Sequence, residues 1–242
     1  MDGTMKIIAQ EQKGKTMIKV ENIDVWGFEH AIHGMRNPKA SWAKSDSKFY
    51  CREETVDIGP NDLKLMRSLF SGGPEHRKFM RQIFVSMDIT APLYWWKEFD
   101  TYKVGTTADS CSTMHKIHAK EFTIEDFSHE HLHDDFRGKK EDLVIYNGEY
   151  ENTALEVMLF TVSALNVFRN RYLETKDKKY WWQMIQLLPS SYNQRRTVTM
   201  NYENVVNMIH QSEFHKLDEW REFVRILKGL PYIAEITGAD NG

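Results

Sequence analysis

Between Ile83 and Ile117 the chain reads IFVSMDITAPLYWWKEFDTYKVGTTADSCSTMHKI, and its last part is crowded with Thr106, Thr107, Ser110, Cys111, Ser112 and Thr113. Hydroxyls and backbone N–H groups both reach oxygen atoms. A hydroxyl-rich tract set directly after a packed strand and helix therefore suits a phosphate or a nucleotide. Cys111 lies within that tract. A thiolate there would be a nucleophile, but no base adjoins it in sequence to activate it.

Other groupings bear on chemistry. His129, His131 and His133, followed by Asp134 and Asp135, could set three imidazoles on one side of an extended segment, which suits zinc or another divalent metal. A His-rich loop with neighbouring acids is more often solvated surface, and no metal is expected. His115 and His118, three apart on an expected helix, are read as surface or structural in the same way. Arg195 and Arg196 follow Ser190, Ser191 and Asn193; their planar forks suit a phosphate clamp and a surface pair equally well. Trp95-Trp96 and Trp181-Trp182 each close a Tyr-Trp-Trp triplet. Adjacent helical residues point about 100° apart, so one of each pair is expected in the core, the other toward a flat ligand or a partner subunit.

The elements that must position these residues follow from periodicity. Met17 to Val25 alternates as a strand, and Trp26 to Met35 reads as a short helix. Asn37-Pro38 and the polar KSDSK tract after it read as an exposed loop. Gly59-Pro60-Asn61-Asp62 starts a helix through LKLMRSLF that Gly72-Gly73-Pro74 stops. Gln82 to Ile89 is a strand, and Ala91 to Tyr102 a helix with Pro92 in its tolerated first turn. Residues 123 to 142 read as a charged loop. Glu149 to Glu174 is a helix, with Leu155, Met158, Leu159, Val162, Leu165 and Phe168 at helical spacing. Lys178 to Leu188, Tyr202 to His210 and His215 to Leu227 are further helices, and Arg196 to Met200 a short extended piece. Strands early and helices late, without regular alternation, predict an α+β fold with a small mixed or antiparallel sheet and several long helices.

Composition sets outer bounds. At 242 residues, 41% hydrophobic and 28% charged, the chain is read as a single globular domain, 1–242. A formal charge of -3 argues against a nucleic-acid partner, which calls for a basic face. With no apolar run of about 18 residues, no membrane span is expected. The opening MDGTMKIIAQEQKGK lacks the apolar core of a signal peptide, and Cys51 and Cys111 make no disulfide framework. A reducing, cytoplasmic setting is the expectation.

Counted from Pro92 without a gap, the run from strand to hydroxyl tract resembles the core of the flavin-dependent thymidylate synthases, which methylate dUMP with FAD, a nicotinamide reductant and methylenetetrahydrofolate. That family passes from a strand through an Ala-Pro pair and a helix into R-H-R-x-x-S-x-N-E-x-S-x-R. Its three basic positions fall on Thr101, Tyr102 and Lys103, its serines on Thr106 and Cys111, its Asn on Ala108, its Glu on Asp109 and its last Arg on Thr113. Only Lys103, Thr106 and Asp109 keep their chemistry. A family histidine sixteen residues before the proline falls on His76. After Leu188-Pro189 the family's Arg and Asn fall on Arg195 and Asn201, and two later arginines on Glu203 and Ser212. The resemblance covers most of residues 17 to 225, with spacing better kept than identity.

The resemblance implies a homotetramer with FAD at subunit boundaries and with NADPH and methylenetetrahydrofolate as co-substrates. Its substrate would be dUMP or a related pyrimidine nucleotide, methylated at C5 in dTMP biosynthesis. It leans toward an enzyme, a flavin-dependent methyltransferase. Tyr102, Asp109 and Cys111 are the catalytic candidates: under the flavin-dependent reading Tyr102 stacks on a ring and no protein nucleophile is required, while Cys111 would add as a thiolate to C6 of a pyrimidine in the reading that keeps the fold and alters the chemistry. His76, Lys103, Thr106 and Asn201 would hold the cofactor, and Glu98, Ser110, Ser112 and Arg195 the substrate. Each lost charge-assisted hydrogen bond is worth roughly 1.5–3 kcal/mol. Lys103, Lys116, Arg195, Arg196 and Arg221 are the cations that could compensate. The alternative is the same fold with altered chemistry or ligand, or a non-catalytic nucleotide-binding oligomer.

Overall fold

The computed structural model describes residues 5–7, 17–50, 55–134, 144–146 and 150–238. In chain order come β1 (Met5–Ile7), β2 (Lys19–Trp26), α1 (Phe28–Arg36), β3 (Lys48–Tyr50), β4 (Thr55–Asp57), α2 (Pro60–Ser71), β5 (Phe84–Pro92), α3 (Leu93–Phe99) and β6 (Thr106–Ser110). There follow α4 (Thr113–Lys116), β7 (Val144–Tyr146), β8 (Tyr150–Asn152), α5 (Ala154–Thr175), α6 (Lys178–Leu187), β9 (Asn193–Asn201), α7 (Tyr202–Ser212), α8 (Asp218–Lys228) and α9 (Ile233–Thr237). The fold is α+β, as the order of strands and helices in the sequence predicts. Among the described residues no helix is long and apolar enough to cross a membrane. The chain divides into two compact units, one of Met1–Thr90, Glu98–Asp109 and Arg196–Gly242, the other of Ala91–Lys97 and Ser110–Arg195.

The first unit is built on a five-stranded sheet of order β1-β2-β5-β9-β6. β2 pairs antiparallel with β1 and with β5, Val25 facing Val85. Thr199 and Thr197 of β9 bond Ser86 and Asp88 of β5 in reverse order, so these strands are antiparallel too. Val85, Met87 and Ile89 are buried while Phe84, Ser86 and Asp88 between them are half-buried, the period of two that turns one face to a core. In α8 the buried Trp220, Phe223, Val224 and Leu227 recur at helical spacing. Each such burial contributes roughly 1.5–3 kcal/mol.

The KSDSK tract is no free loop. Asp62, in the first turn of α2, accepts from Arg36 Nε at 2.6 Å, from Ser45 Oγ at 2.8 Å and from Ser47 Oγ at 2.7 Å, with Asp46 N and Ser47 N each at 3.0 Å. Burial by itself would raise the Asp62 pKa; the bonds from Ser47, Ser45 and Arg36 outweigh it and hold the carboxyl below its usual range.

In the second unit α5 packs on α6 around Ile117, Phe122, Phe127, Val162, Leu165 and Met184. α5 starts five residues later than its periodicity suggests, because Thr153 caps it: Oγ1 accepts from Glu156 N at 3.2 Å while Thr153 N donates to the Glu156 carboxylate at 2.8 Å. Trp181 packs against this core and Trp182 is exposed, as expected of an adjacent pair. Trp95 and Trp96 depart from that pattern, since both are fully buried. The Trp96 indole N–H finds Ala91 O at 3.1 Å and Gln194 O at 3.0 Å, which removes the usual reason to keep an indole edge wet.

Two boundaries around the hydroxyl tract also differ. Ala91 and Pro92 end β5 rather than opening a helix; α3 starts at Leu93, whose N–H, with that of Tyr94, bonds Tyr192 O and Ser190 O. The helix stops at Phe99, three residues short of Tyr102. The tract itself contains a strand, β6, whose exposed residues give no alternating apolar signal. His118 lies beyond the end of α4, so it does not share a helix turn with His115. Asp135 and most of the charged loop's second half lie outside the described residues.

Candidate functional site

Residues 101–106 make a turn that is stapled along α7. Asn201 caps α7, its Oδ1 accepting from Asn204 N at 3.0 Å. Gly105 lies over this cap with φ of 75°, and a Cβ there would stand 2.3 Å from Asn201 Nδ2. Only glycine meets both demands cheaply. Asn204 Nδ2 donates to Val104 O and, at 2.7 Å, to Thr106 Oγ1. At the far end of α7 the Tyr102 and Ser212 hydroxyls meet at 3.3 Å, and the Tyr102 ring packs 5.9 Å from Trp220.

Beside this turn opens a cleft of about 320 Å³ lined by Phe99, Asp100, Tyr102, Lys103, Thr106 and Ala108. Arg196 Nη1 bonds Asp100 Oδ1 at 2.7 Å, offsetting the one acid of the lining. Lys103 is exposed and forms no ion pair with a described residue. The cleft thus joins a cation, a hydroxyl and two aromatic rings, a set that suits a phosphate bearing a flat ring. Of the predicted residues it unites Tyr102, Lys103 and Thr106, with Asn201 behind them, linked through Asn204.

The others lie elsewhere. Asp109 is exposed on β6, and the carbonyl of Glu98 accepts from Thr101 N and Oγ1. His76 lines a different cleft of the first unit, about 390 Å³ in volume. In the second unit Cys111 N donates to Arg195 O at 2.9 Å and Gln194 Nε2 to Cys111 O at 2.9 Å. Ser112 caps α4, and Ser110 is exposed. Cys111, Ser112, Lys116 and Tyr192 border a depression of only about 80 Å³. The exposed Cys111 thiol has no hydrogen-bond partner among the described residues. Burial, with the Asp126 charge, pushes the Tyr192 hydroxyl up, so it stays protonated and supplies no base.

Sequence reasoning missed Gly105, Asn204, Trp220 and the Asp100–Arg196 pair. Gly105 alone carried a local signal, as an isolated glycine beside a polar turn. Glu203, at a position where the resemblance sets an arginine, is ion-paired with Arg81, and Arg77 Nε lies 3.9 Å from it.

No family model and no curated protein matches the chain. Solved structures do. Thymidylate synthase X (ThyX) from Helicobacter pylori, determined with FAD and dUMP, is 16% identical over 92% of this chain and 98% of its own, with a TM-score of 0.60. A second structure of flavin-dependent ThyX from that organism, also complexed with FAD and dUMP, is 15% identical over 89% and 95% of the two chains, with the same TM-score of 0.60. At such identity the likeness is one of fold, and the chain has a ThyX-like fold.

Proposed function

We propose that this chain binds a pyrimidine nucleotide such as dUMP in the Phe99–Ala108 cleft, its phosphate on Lys103 and Thr106 and its base against Tyr102. The observation that carries the reading is that Lys103, without an ion pair among the described residues, and Thr106 line one ring-walled cleft on a ThyX-like fold. FAD, the group in the ThyX structures, makes a larger demand on the cleft. A flavin dinucleotide brings a diphosphate, yet the cleft offers one cation: Arg196 is held by Asp100 and Arg81 by Glu203, while Thr101 and Ser212 carry no charge. These residues fit one phosphate group and not the diphosphate.

A second reading is flavin-dependent methylation of dUMP at C5 with NADPH and methylenetetrahydrofolate. The near-complete coverage of the ThyX chain favours it. It requires further cations from neighbouring copies, and α5 offers a surface for self-association toward a tetramer. Val157, Phe160, Ala164 and Val167 recur at helical spacing, with Phe160 76% and Val167 56% exposed.

Calorimetry separates the readings. Wild type binding dUMP, with Lys103→Ala weaker by about tenfold or more, supports the cleft, since one charge-assisted contact is worth roughly 1.5–3 kcal/mol. Equal affinity in the variant overturns it. Flavin absorbance in protein purified under mild conditions would favour the second reading.

A further inference from the structure

From Arg169 to Trp182 the chain reads RNRYLETKDKKYWW, five cations against two acids, so a local charge of +3 sits in a chain whose formal total is -3. The stretch forms the tip of the α5–α6 hairpin in the second unit: the last turns of α5, Lys176 at φ of 57° with its N–H on Tyr172 O at 2.8 Å, and Asp177 capping α6. Both acids are neutralised locally. Glu174 pairs with Arg171 at 3.4 Å and Asp177 with Lys179 at 3.1 Å. Lys176 and Lys178 are exposed and form no ion pair with a described residue. Their ammonium groups lie instead over rings, Lys176 at 5.9 Å from the centre of Tyr172, and Lys178 at 5.7 Å from Trp182 and 5.9 Å from Trp181.

The rings are fixed in place. The Trp181 indole N–H donates to Met114 O at 3.1 Å, and Trp181 and Tyr172 pack on the α5–α6 core. Trp182 meets Trp181 edge to face at 4.8 Å yet stays 43% exposed. A tryptophan left in water forgoes part of the stabilisation that its burial would give. Held rigidly beside lysines, it presents a flat face that loses little freedom when a second ring stacks on it. An acidic peptide would answer the lysines and leave the rings bare. A duplex keeps its bases stacked on one another, out of reach of a surface ring. A lipid surface calls for a continuous apolar face, and α6 exposes Gln183 and Gln186 beside Trp182. A single strand supplies phosphates and unstacked bases together.

We propose that the tip of the α5–α6 hairpin binds single-stranded nucleic acid, with phosphates on Lys176 and Lys178 and a base stacked on Trp182. Lys178 then turns its ammonium from the ring face to the phosphate beside it. The net charge of -3 argues against a broadly basic face, not against a local one. The site stands independently of nucleotide binding at Lys103.

The test uses the full chain and a fluorescein-labelled oligo(dT) of about twelve nucleotides, read by anisotropy at low salt. Affinity should fall with salt at a logarithmic slope of about -1.4, about 0.7 for each phosphate contact. Trp182→Ala should weaken binding about fivefold or more, the scale of one base stacked on an aromatic ring, and leave that slope unchanged. Trp182→Phe should restore most of the loss. Lys178→Ala should weaken binding and make the slope shallower by about 0.7. Both side chains are exposed, so these variants should keep the wild-type far-ultraviolet dichroism. Trp182→Ala binding as tightly as wild type would mean that the rings take no part, and would overturn the inference. So would equal affinity for a duplex of the same length, displacement of the strand by excess dUMP, or absence of oligo(dT) binding to wild type, whether or not phosphatidylserine vesicles are bound.

Discussion

Tyr102 and Ser212, 110 residues apart, join hydroxyls at 3.3 Å and so tie the turn before β6 to the last residue of α7. Both fall on positions where the resemblance sets a charged or nucleotide-contacting residue. Here the two close on each other, and the Tyr102 ring lies against Trp220. A wall of the candidate cleft is therefore held by an aromatic contact and one hydroxyl pair.

Removing one hydroxyl should cost more than removing both. Tyr102→Phe leaves the buried Ser212 Oγ without its partner, at about 1–3 kcal/mol. Tyr102→Phe with Ser212→Ala removes donor and acceptor together, and should be less destabilised than Tyr102→Phe alone. Urea unfolding of the two single variants and the pair measures the coupling. Strict additivity would mean that the hydroxyls do not interact.

Gly105→Ala should act through the α7 cap. A side chain there is strained at φ of 75° and meets Asn201 Nδ2 at 2.3 Å, so the cap must move. The backbone cost is roughly 1–2 kcal/mol, and loss of an Asn cap adds about 1 kcal/mol. Asn201→Ala alone should show the smaller loss, and Gly105→Ala on that background should cost less than it does in wild type. Thermal melts of the three variants test the order.

These relationships mark what the sequence could carry. α2 is legible because Gly59-Pro60 opens it and Asp62 sits in its first turn, all local signals. β5 is legible in its alternation up to Ile89, but not in its end: Pro92 suits a helix start as well as a strand end, and the choice is made by bonds from Leu93 and Tyr94 to residues about 100 positions away. β6 is an exposed strand at the edge of its sheet, so pairing rather than burial fixes it, and pairing leaves no period. The cleft was legible at Tyr102, Lys103 and Thr106. Its supports Asn204 and Trp220 were not, since each acts across about 100 residues.

Asp100 tempers the charge of that cleft. It lies in the lining, bound to Arg196. Asp100→Asn removes a negative charge while keeping an acceptor, and leaves the Arg196 and Lys103 cations less opposed. Binding of dUMP should tighten about two- to fivefold at low salt, the scale of a solvent-exposed charge interaction of under about 1 kcal/mol. The gain should shrink as salt rises toward physiological strength, where screening acts within about 8 Å. Calorimetry at two ionic strengths reads both. Weaker binding in Asp100→Asn would mean that the acid holds the nucleotide rather than opposing it.

The buried Asp62 sets a pH limit. Its folded pKa lies below the ordinary carboxylate value of 3.8, because bonds from Ser47, Ser45 and Arg36 overcome the effect of burial. A depressed folded pKa means that the unfolded chain takes up the proton first. The stabilisation is therefore complete well above 3.8 and is lost as pH falls through and below that value. Glu222 has the opposite sign: burial raises its pKa, so its ionisation opposes folding as pH rises, and Glu222→Gln should stabilise the chain at neutral pH. Arg36→Ala would leave the Asp62 carboxylate buried without its cation, at about 3–5 kcal/mol. In that variant the charged form has lost its ion pair, so stability should fall off less steeply toward low pH than in wild type. Urea midpoints from neutral pH into the acid range test this. Parallel curves for wild type and Arg36→Ala would mean that the ion pair does not set the Asp62 proton affinity.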